Sequence, residues 1–315
     1  MDSDRGEIAM YDLVAIGNPV YDEIITPHIR TEGRVLSGSS TNACLAARKL
    51  GMGKVALIGC VGEDYKNAFK VHMARYGVEL PRIKTSENTG GFRLIYNERG
   101  DRTLDVLGIA GKILPDDVPE ECLDAKVILI APILQEVDLA FIRFLRENSR
   151  ATLFLDPQGV VREIGEGGRI VESCERSLAE NFARTVDIIK PNEHESVVLT
   201  GFENPYTSAR QLVEWGAKIG IVTLAERGSI IRRERGSITV PAYKTLAKDP
   251  TGAGDTYAGA FIRMYLNQPL LTCGLFASAA ASIKVEYTGP DFPLTYDAVT
   301  ERVRKIDPTQ FNPQG

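Results

Sequence analysis

The sequence predicts an α/β protein: a doubly wound, mostly parallel sheet flanked by helices, with a small β-sheet lid. Three observations predict it. Short β-branched and apolar runs recur along the 315 residues, with segments between several of them that carry apolar residues three and four apart. That alternation implies parallel strands joined by helices. Two stretches, about 24–36 and 91–106, break the alternation and read as extended and polar-alternating. Finally, the turn Asp249-Pro250-Thr251-Gly252-Ala253-Gly254-Asp255 runs straight into an apolar segment, so a helix starts on a glycine-rich turn suited to an anion.

In chain order, strands are expected at 13–17, 55–59, 127–131, 152–156, 187–190 and 220–224. Helical spacing marks 42–50, 68–76, 139–148 and 209–216. The turn Asn97-Glu98-Arg99-Gly100-Asp101 has hairpin chemistry. A second hairpin is expected from 229–232 and 237–240, turning at Arg235-Gly236. The chain is read as one domain, 1–315, with lid segments at about 24–36 and 91–106. The polar tail from 307 carries two prolines and is expected to be loose.

Composition narrows the class. Hydrophobic residues make up 43% and charged residues 25%, with a net charge of -5, which is ordinary for a soluble enzyme. No Lys/Arg run or basic–aromatic interleaving stands out, which excludes nucleic acid as the main partner. Cys44, Cys60, Cys122, Cys174 and Cys273 are scattered without a C-x-x-C. They read as buried, reduced thiols of a cytoplasmic protein. The first ten residues lack the apolar core of a signal peptide. The longest apolar run, near 127–134, falls far short of a membrane span.

Chemistry concentrates in the glycine-rich turn. Gly252 and Gly254 let the backbone approach a ligand, and the helix start adds partial positive charge and unpaired amides. A carboxylate beside such a site, Asp255, is suited to take a proton from a hydroxyl that attacks phosphate. Two other readings compete. Asp255 also fits a first-turn acid favoured by the helix dipole. Gly252 and Gly254 begin a G-x-G, yet Tyr257 stands where a dinucleotide fingerprint needs its third glycine. No G-x-x-x-x-G-K-[ST] occurs.

Other polar residues stand at expected strand ends. Asp22, five residues past Gly17, can accept two hydroxyl hydrogen bonds from a polyol, or simply close a turn. Asn42 offers a donor and an acceptor for adjacent hydroxyls. Its alternative is helix capping, for which Ser40 or Thr41 also serves. In Asp156-Pro157-Gln158-Gly159, followed by Arg162, Gln158 can contact substrate and Arg162 can meet a phosphate; a plain turn with a surface arginine fits as well. Asn192 and Glu195 are oxygen donors three apart, on one face if a helix begins there. His194 between them reads as exposed.

Together these residues resemble the ribokinase-like (PfkB) family of carbohydrate and nucleoside kinases, nearly end to end and in the family's order. Asp249–Asp255 with the following Thr256-Tyr257-Ala258-Gly259-Ala260-Phe261 is similar to the C-terminal signature. Ser37-Gly38-Ser39-Ser40-Thr41-Asn42-Ala43 resembles the N-terminal one. Gly59-Cys60-Val61-Gly62-Glu63-Asp64, Lys190-Pro191-Asn192-Glu193-His194-Glu195 and Val222-Thr223-Leu224-Ala225-Glu226-Arg227-Gly228 resemble three shorter elements.

The resemblance implies a kinase using ATP and Mg²⁺. It places Asp255 as general base and the amides of Gly252, Ala253, Gly254 and Asp255 as the anion hole. Asp22 and Asn42, helped by Gly38 and Ser39, hold the acceptor. Asn192 and Glu195 position hydrated metal, which keeps most of its waters. Thr223, Gly228, Thr251 and the helix around Ala280 line the nucleotide. A monovalent cation near Asp249 is a further family feature. Pro250, Ala225 and Ser37 depart from the family pattern, which bears on nucleotide and substrate choice.

The acceptor is read as a sugar or cyclic polyol, with a nucleoside as the alternative; Tyr21, Phe92 and Tyr96 are the lid-side aromatics a base would need. A non-catalytic sensor on the same fold and a nicotinamide oxidoreductase are the other classes considered. An exposed lid sheet also suggests a homodimer.

Overall fold

Continuous apolar runs between turn residues set the central strands, and periodic apolar segments set the helices that cover them. The computed structural model describes residues 10–97 and 102–307. The first third contains β1 (Leu13–Ile16), β2 (Val20–Ile25), β3 (Val35–Ser37), α1 (Ser39–Lys49), β4 (Val55–Gly62), α2 (Lys66–Tyr76), β5 (Glu79–Ser86), β6 (Gly91–Tyr96) and β7 (Arg102–Gly108). The middle contains α3 (Glu120–Leu123), β8 (Val127–Ile130), α4 (Leu139–Asn148), β9 (Thr152–Leu155), α5 (Gln158–Val161), β10 (Arg162–Ile164), β11 (Ile170–Glu172), α6 (Arg176–Thr185) and β12 (Ile188–Ile189). The remainder contains α7 (Glu193–Thr200), α8 (Pro205–Glu214), β13 (Ile219–Thr223), β14 (Ser229–Arg233), β15 (Gly236–Val240), α9 (Ala253–Tyr265), α10 (Leu270–Lys284) and α11 (Tyr296–Ile306).

Nine strands form the large sheet in the order β15-β14-β13-β12-β9-β8-β1-β4-β5. Its pairs are parallel from β13 to β5 and antiparallel at the β13–β14–β15 end. The period of two in a strand decides which core each residue joins. Leu13 and Ala15 of β1 enter one core with Val55, Leu57, Val127 and Leu129. Val14 and Ile16 enter the other with Ala56, Ile58, Ile128 and Ile130. Such two-sided burial explains why these strands read as unbroken apolar runs.

The small sheet has the order β3-β2-β6-β7. It is antiparallel at β2–β3 and β6–β7 and parallel at β2–β6. Its buried face joins Val20, Ile24, Phe92, Leu94, Tyr96 and Leu104 to Ile133, from the loop after β8.

Several expectations shift. Of the stretch 24–36, only its ends are strand, and β2 starts earlier, so Asp22 lies inside the small sheet. The expected turn at 97–101 falls largely outside the described residues, as does the tail beyond 307. The strand β5 went unexpected because it is a half-exposed edge with Pro81 inside it, a position that edges tolerate. The three-residue strands of the β10–β11 hairpin are too short to show a period. Helix α1 starts at Ser39, and its N-cap is Gly38 at φ 112° with no side-chain cap. Neither Ser40 nor Thr41 caps it; Ser40 Oγ donates instead to the Gly17 carbonyl at 2.8 Å. All five cysteines are free, four buried and Cys174 half-buried. Among the described residues no helix is long and apolar enough to cross a membrane.

One helix contact matters for the site. Where α9 meets α1, a Cβ on Gly259 would lie 2.2 Å from the Ala43 carbonyl oxygen. No side chain fits there. Gly259→Val is expected to cost about 1–3 kcal/mol through overpacking, read as a lower urea midpoint at unchanged slope. A variant as stable as wild type would show that α1 and α9 do not depend on this approach.

Candidate active site

The parallel strands deliver their polar residues to one end of the large sheet. β1 and β8 are neighbours whose onward connections run in opposite directions, the switch point at which such sheets bind ligands. Past the carboxyl ends of β9 and β12 come Asp156 and Gln158, then Lys190 and Asn192, and Thr223 is the last residue of β13. The N-terminus of α9 closes over this edge.

Gly252 takes the left-handed conformation, φ 77°, and caps α9. The preceding turn is held from below, with the Thr251 N–H donating to Asp249 Oδ1 at 2.9 Å. The Ala253 N–H is already spent on the Pro250 carbonyl at 3.2 Å. This corrects the expected four-amide hole: among the described hydrogen bonds, the amides of Gly252, Gly254 and Asp255 have no internal acceptor.

The Asp255 carboxylate is gripped from two sides. Asn42 Nδ2 of α1 donates to Oδ2 at 2.9 Å, and Gln158 Nε2 of α5 donates to Oδ1 at 3.2 Å. Asn42 therefore does not cap its helix. Beside them runs a buried ion pair that was not singled out from sequence, Lys190 with Asp156 at 2.8 Å, both about 3% exposed. A Cβ on Gly254 would sit 3.6 Å from Lys190 Nζ, so this ammonium lies against the anion turn. Burial opposes its charge, but Asp156, Glu195 and Asp255 outweigh that and hold its pKa up. The signal was present in sequence: a lysine ending an apolar strand has no reason to be buried unless an acid meets it.

Asn192 and Glu195 do come together, as a capping box. Asn192 Oδ1 accepts from the Glu195 N–H at 2.8 Å, and Glu195 Oε2 accepts from the Asn192 N–H at 2.9 Å. Glu195 is 3% exposed, and burial, then the Asp156 charge, pushes its carboxyl up to about 7. Glu193 faces outward and pairs with Arg227, and His194 is exposed as expected.

Asp22 is buried and accepts from the Phe92 N–H at 2.8 Å. Burial raises its carboxyl to about 6, against the opposing hydrogen bonds from Phe92 and Ser37 and the charges of Arg162 and Arg34. Arg162 is not a surface arginine. It is 2% exposed, donates Nη1 to the Ile133 carbonyl at 3.2 Å and packs over the Phe92 ring at 5.8 Å. Its Nε has no hydrogen-bond partner. Gly38 and Ser39 are at the β3–α1 junction, where a Cβ on Gly38 would meet the Asn18 carbonyl at 3.0 Å.

On the other flank, Thr223 ends β13 and bridges to Asn192. Gly228, φ 93°, leaves no room for a side chain, since a Cβ would lie 1.9 Å from the Val240 carbonyl. Ala280 is wholly buried in the core; its neighbour Ala281 is partly exposed. The small sheet reaches the anion turn twice. Tyr96 OH lies 3.1 Å from Thr251 Oγ1, and Thr26 Oγ1 donates to the Lys248 carbonyl at 3.0 Å.

A glycine-rich helix start, a held carboxylate and buried cations at the carboxyl ends of the strands match the comparisons with known proteins, which make this a phosphotransferase acting on an alcohol. Residues 7–296 match the pfkB family of carbohydrate kinases, and the chain belongs to that family. Among curated proteins, the cytidine kinase of Thermococcus kodakarensis is 31% identical over 277 residues, covering 84% of this chain and 92% of its own. The ribokinase of Haemophilus influenzae is 25% identical, covering 88% and 93%. Among solved structures, a pyrophosphate-dependent kinase of the ribokinase family in complex with sulfate has a TM-score of 0.79 at 22% identity, covering 91% and 99%. A putative ribokinase II from E. coli, solved with ATP and Mg²⁺, has a TM-score of 0.73 at 20% identity, covering 94% and 100%.

The raised pKa of Asp22 gives a pH test. Its folded value, about 6, exceeds the ordinary 3.8, so the folded protein holds this proton more tightly than the unfolded chain does. That contribution to stability is complete below the ordinary value and is lost as pH rises through about 6. The stability difference between wild type and Asp22→Asn should therefore shift in favour of the variant across this window in urea titrations. A flat difference would mean that Asp22 ionises as an ordinary carboxylate.

Proposed function

We propose that this chain transfers the γ-phosphate of Mg²⁺-ATP to a hydroxyl of a small sugar or cyclic polyol. The observation that carries this is the Asp255 carboxylate, held by Asn42 and Gln158 at the mouth of an anion turn. Asp255 accepts the hydroxyl proton as that oxygen attacks the γ-phosphorus, the bond to the bridging oxygen breaks, and ADP leaves. The amides of Gly252, Gly254 and Asp255, backed by Lys190, stabilise charge building on the phosphoryl oxygens. Asp22, Gly38, Ser39, Asn42, Gln158 and Arg162 surround the acceptor. Thr223, Gly228, Thr251 and Ala281, rather than Ala280, line the nucleotide.

The residues present fit Mg²⁺ held through its waters. The capping box occupies Asn192 Oδ1 and Glu195 Oε2 and leaves Glu195 Oε1 as an oxygen donor. When bound, the metal would neutralise charge on the triphosphate. The small sheet acts as the lid of a single-domain enzyme, latched by Tyr96 to Thr251, and keeps water from the phosphoryl group.

A nucleoside acceptor is the second reading, favoured by the cytidine kinase relative. Against it, the three aromatics expected to stack on a base are all buried. Tyr21 already stacks on Tyr65 at 4.0 Å, and Phe92 and Tyr96 pack in the small sheet's apolar cluster.

Asp255→Asn is expected to lower kcat by at least about 10²-fold while ATP still binds, since a positioned base contributes about that much. ADP release across sugars, sugar acids, inositol and nucleosides, with ATP and pyrophosphate as donors, reads both the activity and the acceptor. Near-normal turnover by the variant would remove Asp255 from catalysis. Asp22→Ala should weaken acceptor use by roughly 1–3 kcal/mol in kcat/KM, the cost of leaving hydroxyls unpaired. An unchanged value would remove Asp22 from the acceptor site.

A further inference from the structure

The turn that precedes α9 carries its own buried charge problem. Asp249 is fully buried; its Oδ1 takes the Thr251 N–H, and its Oδ2 has no hydrogen-bond partner. A second carboxylate, Asp255, follows six residues later, and the turn between them has to receive a polyanion. A buried carboxylate needs a counter-charge.

Two sources can supply it: a bound monovalent cation, or a basic side chain. A bare cation needs a shell of several oxygens, and three carbonyls near Asp249 are already engaged. The Val285 carbonyl already accepts from both Lys248 and Asp249, at 2.7 and 3.0 Å. The Pro250 carbonyl takes the Ala253 N–H, and the Tyr287 carbonyl takes an ammonium. Among the buried side-chain atoms of the turn, Asp249 Oδ2 is the one without a hydrogen-bond partner.

That ammonium belongs to Lys284, the last residue of α10. Its side chain is 3% exposed, its Nζ donates to the Tyr287 carbonyl at 2.9 Å, and its Cε would lie 3.5 Å from a Cβ on Gly252. The stem therefore lies against the residue whose left-handed conformation makes the turn. Lys284 forms no direct ion pair with Asp249 or Asp255 and acts on both through space. Burial lowers its pKa, and these two carboxylates oppose that lowering. The amides of Lys248 and Asp249 bond to the carbonyl of the very next residue, Val285, so the lysine and the turn are fastened together.

We infer that the ammonium of Lys284 is a tethered cation that takes the place of a bound monovalent ion behind the anion turn, making the turn independent of potassium. With Lys190 on its other flank, the turn sits between two buried ammonium groups. Lys284 is a positioning residue: it offsets Asp249, which shapes the turn, and touches no reacting atom. This rests on the reading of 252–255 as the phosphate cradle.

The test compares about 0.1 M KCl with tetramethylammonium chloride at equal ionic strength. Wild type should melt within about 1 °C in the two salts and bind Mg²⁺-ATP equally by calorimetry. Lys284→Met should melt lower and bind Mg²⁺-ATP about 10-fold more weakly in tetramethylammonium, and potassium should restore both. Lys284→Arg should keep the wild-type indifference. A wild type that potassium stabilises or tightens several-fold would overturn the inference, as would a Lys284→Met protein that matches wild type in both salts. Should Lys284→Met fail to fold, the wild-type comparison still decides. The ligand-free melts keep this outcome apart from failure of the kinase reading, which would appear as wild type binding no Mg²⁺-ATP in either salt.

Discussion

The close approach of α9 to α1 sets the spacing on which the site depends. Gly259 presents bare backbone to the Ala43 carbonyl, and the small residues Ala46, Ala47, Ala258 and Ala260 share that core. Helices meeting over such residues lie nearer than the usual 8–10 Å. Their N-terminal turns consequently share one volume, and the Asn42 amide reaches Asp255. With one methyl group at Gly259 the two ends would part before any catalytic atom was changed. The grip of Gln158 comes from the opposite direction, off the end of β9, so the carboxylate is triangulated by the sheet and by the helix pair together. That is positional accuracy drawn from rigid elements.

Around that carboxylate the fold gathers more buried charge than a stability argument alone would place there. Asp156, Lys190, Glu195, Asp22 and Arg162 are all nearly inaccessible. Asp22, Asp156 and Glu195 are each pushed up by burial; Asp249 Oδ2 has no hydrogen-bond partner, and Arg162 Nε meets only the Glu172 carboxylate, at 3.7 Å. Ion pairs of this kind are weak contributors to folding, because desolvation cancels most of the attraction. Their concentration around one carboxylate is a pattern that binding sites share. The small sheet adds to this by placing Tyr96 on Thr251, so the covering element and the anion turn share a hydrogen bond.

Much of this was legible in the residues. The glycine-rich turn stood out because its chemistry is local: a left-handed residue at Gly252 and an acid in the first turn of a helix need only neighbouring residues to be recognised. The central strands were equally plain, since burial on both faces leaves an unbroken apolar run. Legibility failed where a residue's role depends on what packs against it. Arg162 read equally well as a surface group, because Glu172, the Phe92 ring and the Ile133 carbonyl, which meet it, lie elsewhere in the chain. Asn42 read as a helix cap or a hydroxyl ligand, and its grip on Asp255 crosses 213 positions. The resemblance points to the helix around Ala280, and only the packing of α10 shows that this side chain is buried in the core. The Ala253 amide was counted as free because the turn that consumes it depends on a proline carbonyl three residues earlier.

The sequence by itself determined the class of fold, the glycine-rich turn that opens α9 and the acid in that helix's first turn. Each follows from backbone preferences and periodicities that act over a few residues. Only the tertiary structure decided which groups meet that carboxylate, which amides stay open, and that Lys190 and Lys284 bring buried positive charge to both flanks of the turn. These depend on distances between strands and helices far apart in the chain, and no local propensity encodes such distances.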